Sequence, residues 1–447
     1  MTAICRCLIF MPIIPIAAAK AQAQGRAHLA GFVQNLRLKK EIAFVDLRDR
    51  SGLMQLVVEQ GAAPEAFAII SETSLESYIE VEGGLKEKPA KKGEEEAPKD
   101  YEVNVASIVL VSRADSQLPI PVMQKIGNEA SLDLRFDYRW LDLRKPEHRL
   151  VFQVWTELEA GCREYFLANG FLQIYTPAFM GTASETGAEV FEVKYFDRKA
   201  YLAQSPQFYK QMALAAGFEK VFMVGTVFRA EASFTTRHVT EFTGWDFEIA
   251  NISSHHEIMD AEEAMLRSGF KRLQKSGLPI DAAITTDPFP RWTLKQVKEK
   301  LAAIGVDSEK ENDLSPEEER EICRLAKEET GSDFVFVIDY PIASRAFYHM
   351  RHADDNNLTK SFDLLYRGVE ITTGAQREHR VDILEKQALE KGMSLEELKD
   401  YLSFFRYGCP AHGGVGIGPA RIIMKLMALD SVKEACFLPR DVRRLNP

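Results

Sequence analysis

The sequence lacks the features that most directly mark a secreted, zinc-binding or membrane protein. Its six cysteines form no CxxC pair and have no histidine-rich partner spacing, so neither a zinc site nor a disulfide framework is predicted. No apolar run is long enough to span a membrane. The formal net charge is -10, so any contact with nucleic acid must use local basic patches. These absences favour a protein of the reducing cytosol.

The chain of 447 residues exceeds what one hydrophobic core usually organises, so two domains are expected. Before them, residues 1–26 have only the outline of a secretory signal. Arg6 precedes the apolar segment CLIFMPIIPIAAA, but two prolines interrupt that segment and a strand pattern begins at Ala27. We predict that residues 1–26 are disordered or wrongly assigned.

Residues 27–112 have the pattern of a small all-β barrel. Five segments with alternating apolar positions begin with HLAGFVQNLR and end with YEVNVASIVLVSRA, which predicts a closed barrel of the OB type. The charged segment KEKPAKKGEEEAPKD is predicted to be a solvated loop. Residues 113–130 contain prolines and are predicted to form a hinge linker.

Residues 131–447 are predicted to form a larger α+β domain. An amphipathic pattern from Arg135 to Gly170 predicts one long helix. Further along, strands mostly follow strands and helices come in blocks, which favours an antiparallel sheet with flanking helices over a doubly wound sheet.

Two segments of this domain indicate a phosphate site. VFRAEASFTTRHVTEF places Arg229 and Glu231 two apart on a predicted strand, hence on one face, ahead of Arg237 and His238. HGGVGIGPARIIMKL predicts a glycine-rich strand that leads into a helix, with Arg421 just inside it. Guanidinium groups bind phosphate oxygens bidentately, and glycines let a ligand approach the backbone. Alone, either segment would as readily be a surface ion-pair network or a turn.

FRAE with its downstream TRH, and GIGPAR before a helix, resemble motifs two and three of class II aminoacyl-tRNA synthetases, and FLQIYTPAF resembles motif one. The longer segments AYLAQSPQFYKQM and GVEITTGAQREHR resemble the archaeal and eukaryotic aspartyl type, within the aspartyl, asparaginyl and lysyl subgroup. The resemblance implies an OB-fold anticodon-binding domain before a class II catalytic domain. It also implies a cytoplasmic homodimer whose interface includes Pro177.

The resemblance further implies that ATP activates L-aspartate as an aspartyl-adenylate, from which the amino acid passes to tRNA(Asp). Whether tRNA(Asn) is also a substrate is left open. Arg229 and Arg421 are the expected catalytic residues, acting by electrostatic stabilisation. The expected ATP-binding residues are Arg229, Glu231, Arg237, His238, Glu370, Gly418 and Arg421.

Aspartate differs from asparagine by a negative charge, so a selective site needs cations. By resemblance and by charge, Lys210 and Arg377 are assigned to the substrate's side-chain carboxylate. The expected aspartate-binding residues are Glu185, Gln207, Lys210, Arg229, Asp246, Thr373 and Arg377.

ATP arrives with Mg²⁺, which prefers oxygen ligands, and the resemblance implies Asp363, Glu370 and Thr373 for that ion. Asp363 and Glu370 have opposite strand parity, so they converge only if the YRG segment forms a turn or bulge between two strands. The chain departs from the family in having Thr373 in place of a serine and Ala420 in place of an acid.

In the barrel, FVDLRDRSGLMQ resembles an anticodon-reading segment. Phe44 is expected to stack on a base, Gln55 to hydrogen-bond a base edge, and Arg48 to complete a positive groove. The alternative for Phe44 is an ordinary core position.

Three alternative functions remain. An asparaginyl-tRNA synthetase has the same architecture, but Lys210 argues against it. An amide-forming ligase would need no anticodon-binding barrel. A non-catalytic RNA-binding paralogue would be consistent with the departures at Thr373 and Ala420.

Overall fold

The computed structural model describes residues 11–88, 99–123, 130–182, 189–232, 234–284, 286 and 288–446. Most of the predicted charged loop, part of the predicted linker and Glu185 lie outside these residues. The chain divides after Pro146 into two compact units. Residues 131–146, assigned from the sequence to the second domain, belong to the first unit. No helix of the described residues is both long and apolar enough to cross a membrane.

The first unit contains the predicted barrel. Its strands close in the order β1-β2-β3-β5-β4, as an OB fold requires. The strands are β1 (Arg26–Leu38), β2 (Ile42–Arg48), β3 (Leu53–Glu59), β4 (Tyr78–Glu87) and β5 (Tyr101–Ser112). The helices are α1 (Ile16–Gln22), α2 (Pro64–Ser71), α3 (Leu132–Asp137) and α4 (Arg139–Asp142). The OB-type barrel predicted from alternating apolar residues is confirmed.

The segment that precedes the barrel differs from its prediction. Residues 16–22, expected to be disordered or wrongly assigned, form α1. Ile16 and Ala19 are buried in the barrel's core cluster, and the Ile16 backbone N–H donates to Asp49 Oδ2 at 2.8 Å. The apolar residues that gave the outline of a secretory signal therefore include two that complete the hydrophobic core of the barrel.

The second unit is built on an eight-stranded sheet with the order β12-β13-β14-β15-β16-β11-β10-β6. Neighbours are antiparallel except for the parallel pairs β12/β13 and β10/β6 at the two ends. Its strands are β6 (Leu172–Gln173), β10 (Lys220–Phe228), β11 (Glu241–Ala250), β12 (Arg291–Thr293), β13 (Phe334–Ile338), β14 (Ser361–Tyr366), β15 (Val369–Arg377) and β16 (His412–Ile417). The predicted antiparallel α+β sheet is confirmed.

In the described part of this unit there are also a three-stranded sheet and eight α-helices. The small sheet has the order β7-β9-β8 and consists of β7 (Phe179–Met180), β8 (Glu192–Tyr195) and β9 (Arg198–Leu202). The helices are α5 (Pro146–Ala168), α6 (Gln207–Ala215), α7 (His255–Lys275), α8 (Leu294–Ala303), α9 (Pro316–Thr330), α10 (Val381–Glu390), α11 (Lys399–Phe405) and α12 (Pro419–Leu426).

The single helix predicted from Arg135 to Gly170 is wrong in its first third. The chain there forms α3 and α4 and then starts again as α5 at Pro146. Proline disfavours helical backbone in the residue before it and is well suited to a first helical position, which explains the new start. The predicted end is confirmed, because Gly170 has a φ of +76° just beyond Ala168.

Helices α5 and α7 pack closely together in the core. A Cβ atom added to Gly161 would lie 2.7 Å from Gly269 Cα, so the two backbones approach more closely than a side chain would allow. Apolar residues of both helices join one cluster with Trp245 and Phe247 of the sheet. The core therefore supports β11, the strand that carries two buried acids of the candidate site.

We expect Glu262→Gln to stabilise the protein increasingly between about pH 4.5 and pH 8. Burial raises the pKa of Glu262 from 4.5 to about 8, and Asp363 adds repulsion. In this window the unfolded state binds fewer protons than the folded state, so stability falls by about 1.4 kcal/mol per pH unit. Urea unfolding of both proteins at about pH 5 and pH 7.5 should show their difference growing by roughly 3 kcal/mol. If the difference in free energy of unfolding were the same at both pH values, the pKa of Glu262 would not be raised in the folded protein.

Candidate active site

Four buried charged side chains meet on one face of the sheet. Lys210, from α6, donates to Asp246 Oδ1 at 2.8 Å and to the carbonyl oxygen of Val415 at 2.8 Å. Its Nζ also lies 3.3 Å from Glu248 Oε2. Arg377, at the end of β15, donates from Nε to Glu248 Oε1 at 3.1 Å. The structure therefore brings together Lys210, Arg377 and Asp246, which were predicted from the sequence.

Charge is balanced in this group of two cations and two acids, which we call the buried charge cluster (Lys210, Asp246, Glu248 and Arg377). Each member is at most 5% exposed. Burial raises the pKa of Asp246 despite Lys210. Burial also favours protonation of Glu248, but Arg377 and Lys210 hold its pKa below the ordinary value. Since both cations already have carboxylate partners, an acidic ligand would have to share or displace those partners.

Glu248 was missed in the sequence although a signal was present. Asp246 and Glu248 are two apart on β11, so their side chains lie on the same face of the sheet. Gln207, predicted to bind the amino acid, also belongs here, with its Nε2 3.4 Å from Glu248 Oε1. His349 contacts the cluster, because its Nε2 lies 3.3 Å from Arg377 Nη1. Burial and Arg377 hold the pKa of His349 well below its usual value, so the ring is neutral.

Five of the seven residues predicted to bind ATP lie near one another, with His238 among the charges of the other four. Burial lowers the pKa of His238, and the nearby guanidinium groups of Arg421, Arg237 and Arg229 lower it further, while Glu231 opposes them. Five charged or ionisable groups from two distant segments are therefore neighbours, as the resemblance implied. One detail is wrong: β10 ends at Phe228, so Arg229 and Glu231 lie beyond the strand and not on its face.

The glycine-rich segment has the predicted structure, a strand that leads into a helix. Strand β16 is followed by Gly418 and then by Pro419 at the first position of α12. Arg421 Nη1 donates to the carbonyl oxygen of Glu370 at 2.8 Å, which holds its guanidinium beside β15. A Cβ atom on Gly414 would lie 2.1 Å from the carbonyl oxygen of Phe247, so this glycine is required by strand packing as well.

The three residues predicted to bind Mg²⁺ lie close together. Asp363 and Thr373 are directly paired across β14 and β15, and Thr373 Oγ1 donates to Glu370 Oε1 at 3.2 Å. The required turn is present, with Arg367 and Gly368 both at positive φ, and the register shifts beyond Leu364. The condition for Asp363 and Glu370 to converge, a turn or bulge at the YRG segment, is thus met.

The donor set suits Mg²⁺ better than a metal with a dedicated protein cage. Among the described residues no group of three or more His, Cys, Asp or Glu side chains is arranged to hold a metal. Mg²⁺ commonly uses one or two carboxylates together with waters and substrate phosphates. Asp363 Oδ2 pairs with Arg345 at 2.7 Å, whereas its buried Oδ1 has no hydrogen-bond partner in the described part of the chain. Burial raises the pKa of Asp363 to about 6, and Glu370 adds repulsion that a cation would relieve.

In the barrel, the three residues predicted to read an anticodon have different environments. Phe44 is half-buried and lies under the cations of Arg37 and Lys39, at 5.9 and 5.4 Å from the ring centroid. Arg48 is buried and donates to Glu76 Oε2 at 2.7 Å, so it does not complete an open positive groove. Gln55 donates to Glu102 Oε2 at 2.8 Å. The accessible cations beside Phe44 therefore come from the β1–β2 hairpin.

Comparison with known proteins gives matches over nearly the whole chain. The model of class II tRNA synthetases (D, K and N) matches residues 131–442, and that of the OB-fold nucleic acid binding domain matches residues 27–111. An aspartate–tRNA(Asp/Asn) ligase of Aeropyrum pernix is 39% identical over 97% of this chain and 98% of its own length. An aspartate–tRNA(Asp) ligase of Pyrococcus abyssi is 38% identical over 94% and 96%.

Solved structures of both amino-acid specificities are similar to this chain. The asparaginyl-tRNA synthetase of Pyrococcus horikoshii, complexed with asparaginyl-adenylate, superposes with a TM-score of 0.87 at 32% identity and covers 98% of this chain and 100% of that one. The aspartyl tRNA synthetase of Entamoeba histolytica gives a TM-score of 0.85 at 31% identity, covering 98% and 93%.

Proposed function

Since this chain belongs to the class II tRNA synthetases of the aspartyl, lysyl and asparaginyl group, we propose that it attaches L-aspartate to tRNA(Asp) at the expense of ATP. The observation that carries the choice of amino acid is the buried charge cluster. It contains two cations, Lys210 and Arg377, and Arg377 lies on β15, the strand that also carries Glu370 and Thr373 of the predicted Mg²⁺ site. A site with two buried cations favours an anionic side chain over its neutral amide, because a carboxylate can accept hydrogen bonds from both cations, whereas the amide has one acceptor oxygen and adds an N–H₂ donor that faces them.

The reaction has two steps. In the first, an oxygen of the aspartate α-carboxylate attacks the ATP α-phosphorus and pyrophosphate leaves, so that a mixed anhydride forms. In the second, a terminal ribose hydroxyl of tRNA attacks the activated carbonyl, and AMP leaves. Negative charge develops on phosphate oxygens in the first step, and fixed guanidinium groups stabilise it. Arg229 and Arg421 would perform this role.

When it is bound, Mg²⁺ would offset part of the negative charge of the ATP phosphates and help to orient them. Glu370, Asp363 and Thr373 would hold it. The amino acid would be oriented by Gln207 and Asp246, with Lys210 and Arg377 directed to its side chain.

Amino-acid-dependent ATP–pyrophosphate exchange tests this function most directly. Exchange with aspartate, and none with asparagine or lysine, is expected. Exchange with asparagine alone would establish the asparaginyl alternative, and none with any of the three would favour the non-catalytic paralogue. Charging assays with purified tRNA(Asp) and tRNA(Asn) then show whether the protein charges tRNA(Asp) alone or both tRNAs.

The proposal includes a cytoplasmic homodimer, since the resemblance assigns the segment around Pro177 to a subunit interface. Large apolar residues near it are exposed: Leu172 at 54%, Tyr175 at 83% and Phe179 at 53%. Several large apolar residues exposed within one short segment suit a face that a second subunit covers. Light scattering that gives the mass of two chains would support the dimer.

In the barrel, Phe44→Ala is expected to raise the KM for tRNA about tenfold, because stacking of a base on an aromatic ring contributes roughly 1–3 kcal/mol. Aspartate-dependent ATP–pyrophosphate exchange, measured without tRNA, should not change. Val109→Ala is a suitable control, since Val109 is an exposed apolar residue of the same barrel. An unchanged KM for tRNA in the Phe44 variant would return Phe44 to a purely structural role.

A further inference from the structure

Glu319 is a buried acid that none of the predicted roles includes. It lies in the first turn of α9, a helix that starts with Pro316 and a capping box between Ser315 and Glu318. Carboxylates are favourable at helix N-termini, but most such residues face solvent. Glu319 is only 8% exposed and points to the group of residues predicted to bind ATP. The helix dipole alone therefore does not explain why Glu319 is buried at this point.

One oxygen of Glu319 joins two segments that are far apart in the sequence. Oε2 accepts a hydrogen bond from Arg237 Nη2 in the segment between β10 and β11. The same atom accepts the backbone N–H of Glu370 at 3.0 Å, at the start of β15. Glu319 thus ties an arginine of a segment without regular secondary structure to the strand that carries a predicted Mg²⁺ ligand.

We propose that Glu319 is a positioning residue for ATP, which holds Arg237 ready to bind the nucleotide's phosphates. This inference rests on the proposed function. The contact uses one amino group of a guanidinium that has five N–H donors, so others remain to bind phosphate oxygens. A side chain fixed before the ligand arrives loses less conformational entropy on binding, and a lower KM for ATP follows.

The opposite role would be competition, in which Glu319 occupies Arg237 until phosphate displaces it. The Glu370 N–H argues against competition, because it holds Glu319 Oε2 at β15 independently of Arg237. The two roles predict opposite changes in the KM for ATP when Glu319 is replaced. Removal of a positioning residue raises the KM for ATP, whereas removal of a competitor lowers it.

Glu319→Gln is the appropriate variant, since the amide keeps one oxygen for the Glu370 N–H but has no negative charge to attract Arg237. We expect the KM for ATP in aspartate-dependent exchange to rise about tenfold, while the KM for aspartate stays unchanged. Glu317→Gln is the matched control, because Glu317 is an exposed acid in the same helical turn and should leave both constants unchanged. An unchanged or lower KM for ATP in the Glu319 variant would overturn the proposal.

A double-mutant cycle separates positioning from a merely structural role. If Glu319 acts through Arg237, Glu319→Gln should add nothing further to the KM for ATP of an Arg237→Ala variant. Additive effects, or equal rises in the KM for ATP and for aspartate, would refute the inference. Calorimetry with a non-hydrolysable ATP analogue and Mg²⁺ measures nucleotide affinity without turnover, and Glu319→Gln should lower that affinity. Absence of exchange in the unaltered protein would contradict the proposed function, while calorimetry would still test Glu319.

Discussion

Replacement of Lys210 by methionine is expected to abolish aspartate-dependent ATP–pyrophosphate exchange and to lower the free energy of unfolding by about 3–5 kcal/mol. Lys210 is 1% exposed, and its Nζ is the hydrogen-bond partner of Asp246 Oδ1. Without the lysine, two buried carboxylates share the single cation of Arg377. Considered from the sequence alone, a lysine in a helix would be expected to leave the fold intact when it is removed.

A compensating variant separates the loss of activity from the loss of stability. Lys210→Met combined with Asp246→Asn removes one charge of each sign, so the free energy of unfolding should recover by at least half. Exchange with aspartate should stay absent, because the substrate's carboxylate still lacks one of its two cations. Urea unfolding and ATP–pyrophosphate exchange on the same preparations measure both effects. Retained preference for aspartate over asparagine in either variant would show that selectivity arises elsewhere.

Sequence patterns that span only a few residues predicted much of the fold and part of the candidate site. Alternating apolar residues were sufficient to predict the five barrel strands, because one face of each strand is buried. Strand parity was sufficient to predict that Asp363 and Glu370 converge only if a turn or bulge lies between them, and both are present. The same rule, applied to β11, would have added Glu248 to Asp246. In each case the information lies within a few residues of the feature it determines.

Partners that are distant in the sequence, and that the family resemblance did not supply, could not be predicted. Arg48 was expected in an open groove, but it forms an ion pair with Glu76, which lies 28 residues away and has a positive φ of 64°. Glu319 is 82 residues from Arg237, and no local pattern relates them. A charged residue has the same local sequence signature whether it faces solvent or is buried with a partner, so only the tertiary structure separates the two.

Arg229→Ala is expected to remove ATP–pyrophosphate exchange almost completely, by about a thousandfold or more, with little change in stability. Arg229 is exposed and its guanidinium lies 5.5 Å from the ring centroid of Phe242, so its removal is not expected to leave a buried group unpaired among the described residues. In the proposed reaction this guanidinium faces the negative charge that develops at the α-phosphate. A packing defect would instead lower the stability of the protein, and activity would be lost only as a consequence.

Two further variants make the expectation specific to Arg229. Arg198→Ala removes another exposed arginine, whose guanidinium lies 5.9 Å from the ring centroid of Tyr195, and it should leave exchange unchanged. Arg229→Lys keeps the charge but loses the planar pair of donors, so it should recover only part of the rate. Since the Arg229 and Arg198 variants each remove one exposed charge beside an aromatic ring, a difference between them isolates the role of position. A normal exchange rate after Arg229→Ala would place the chemistry at another part of the sheet.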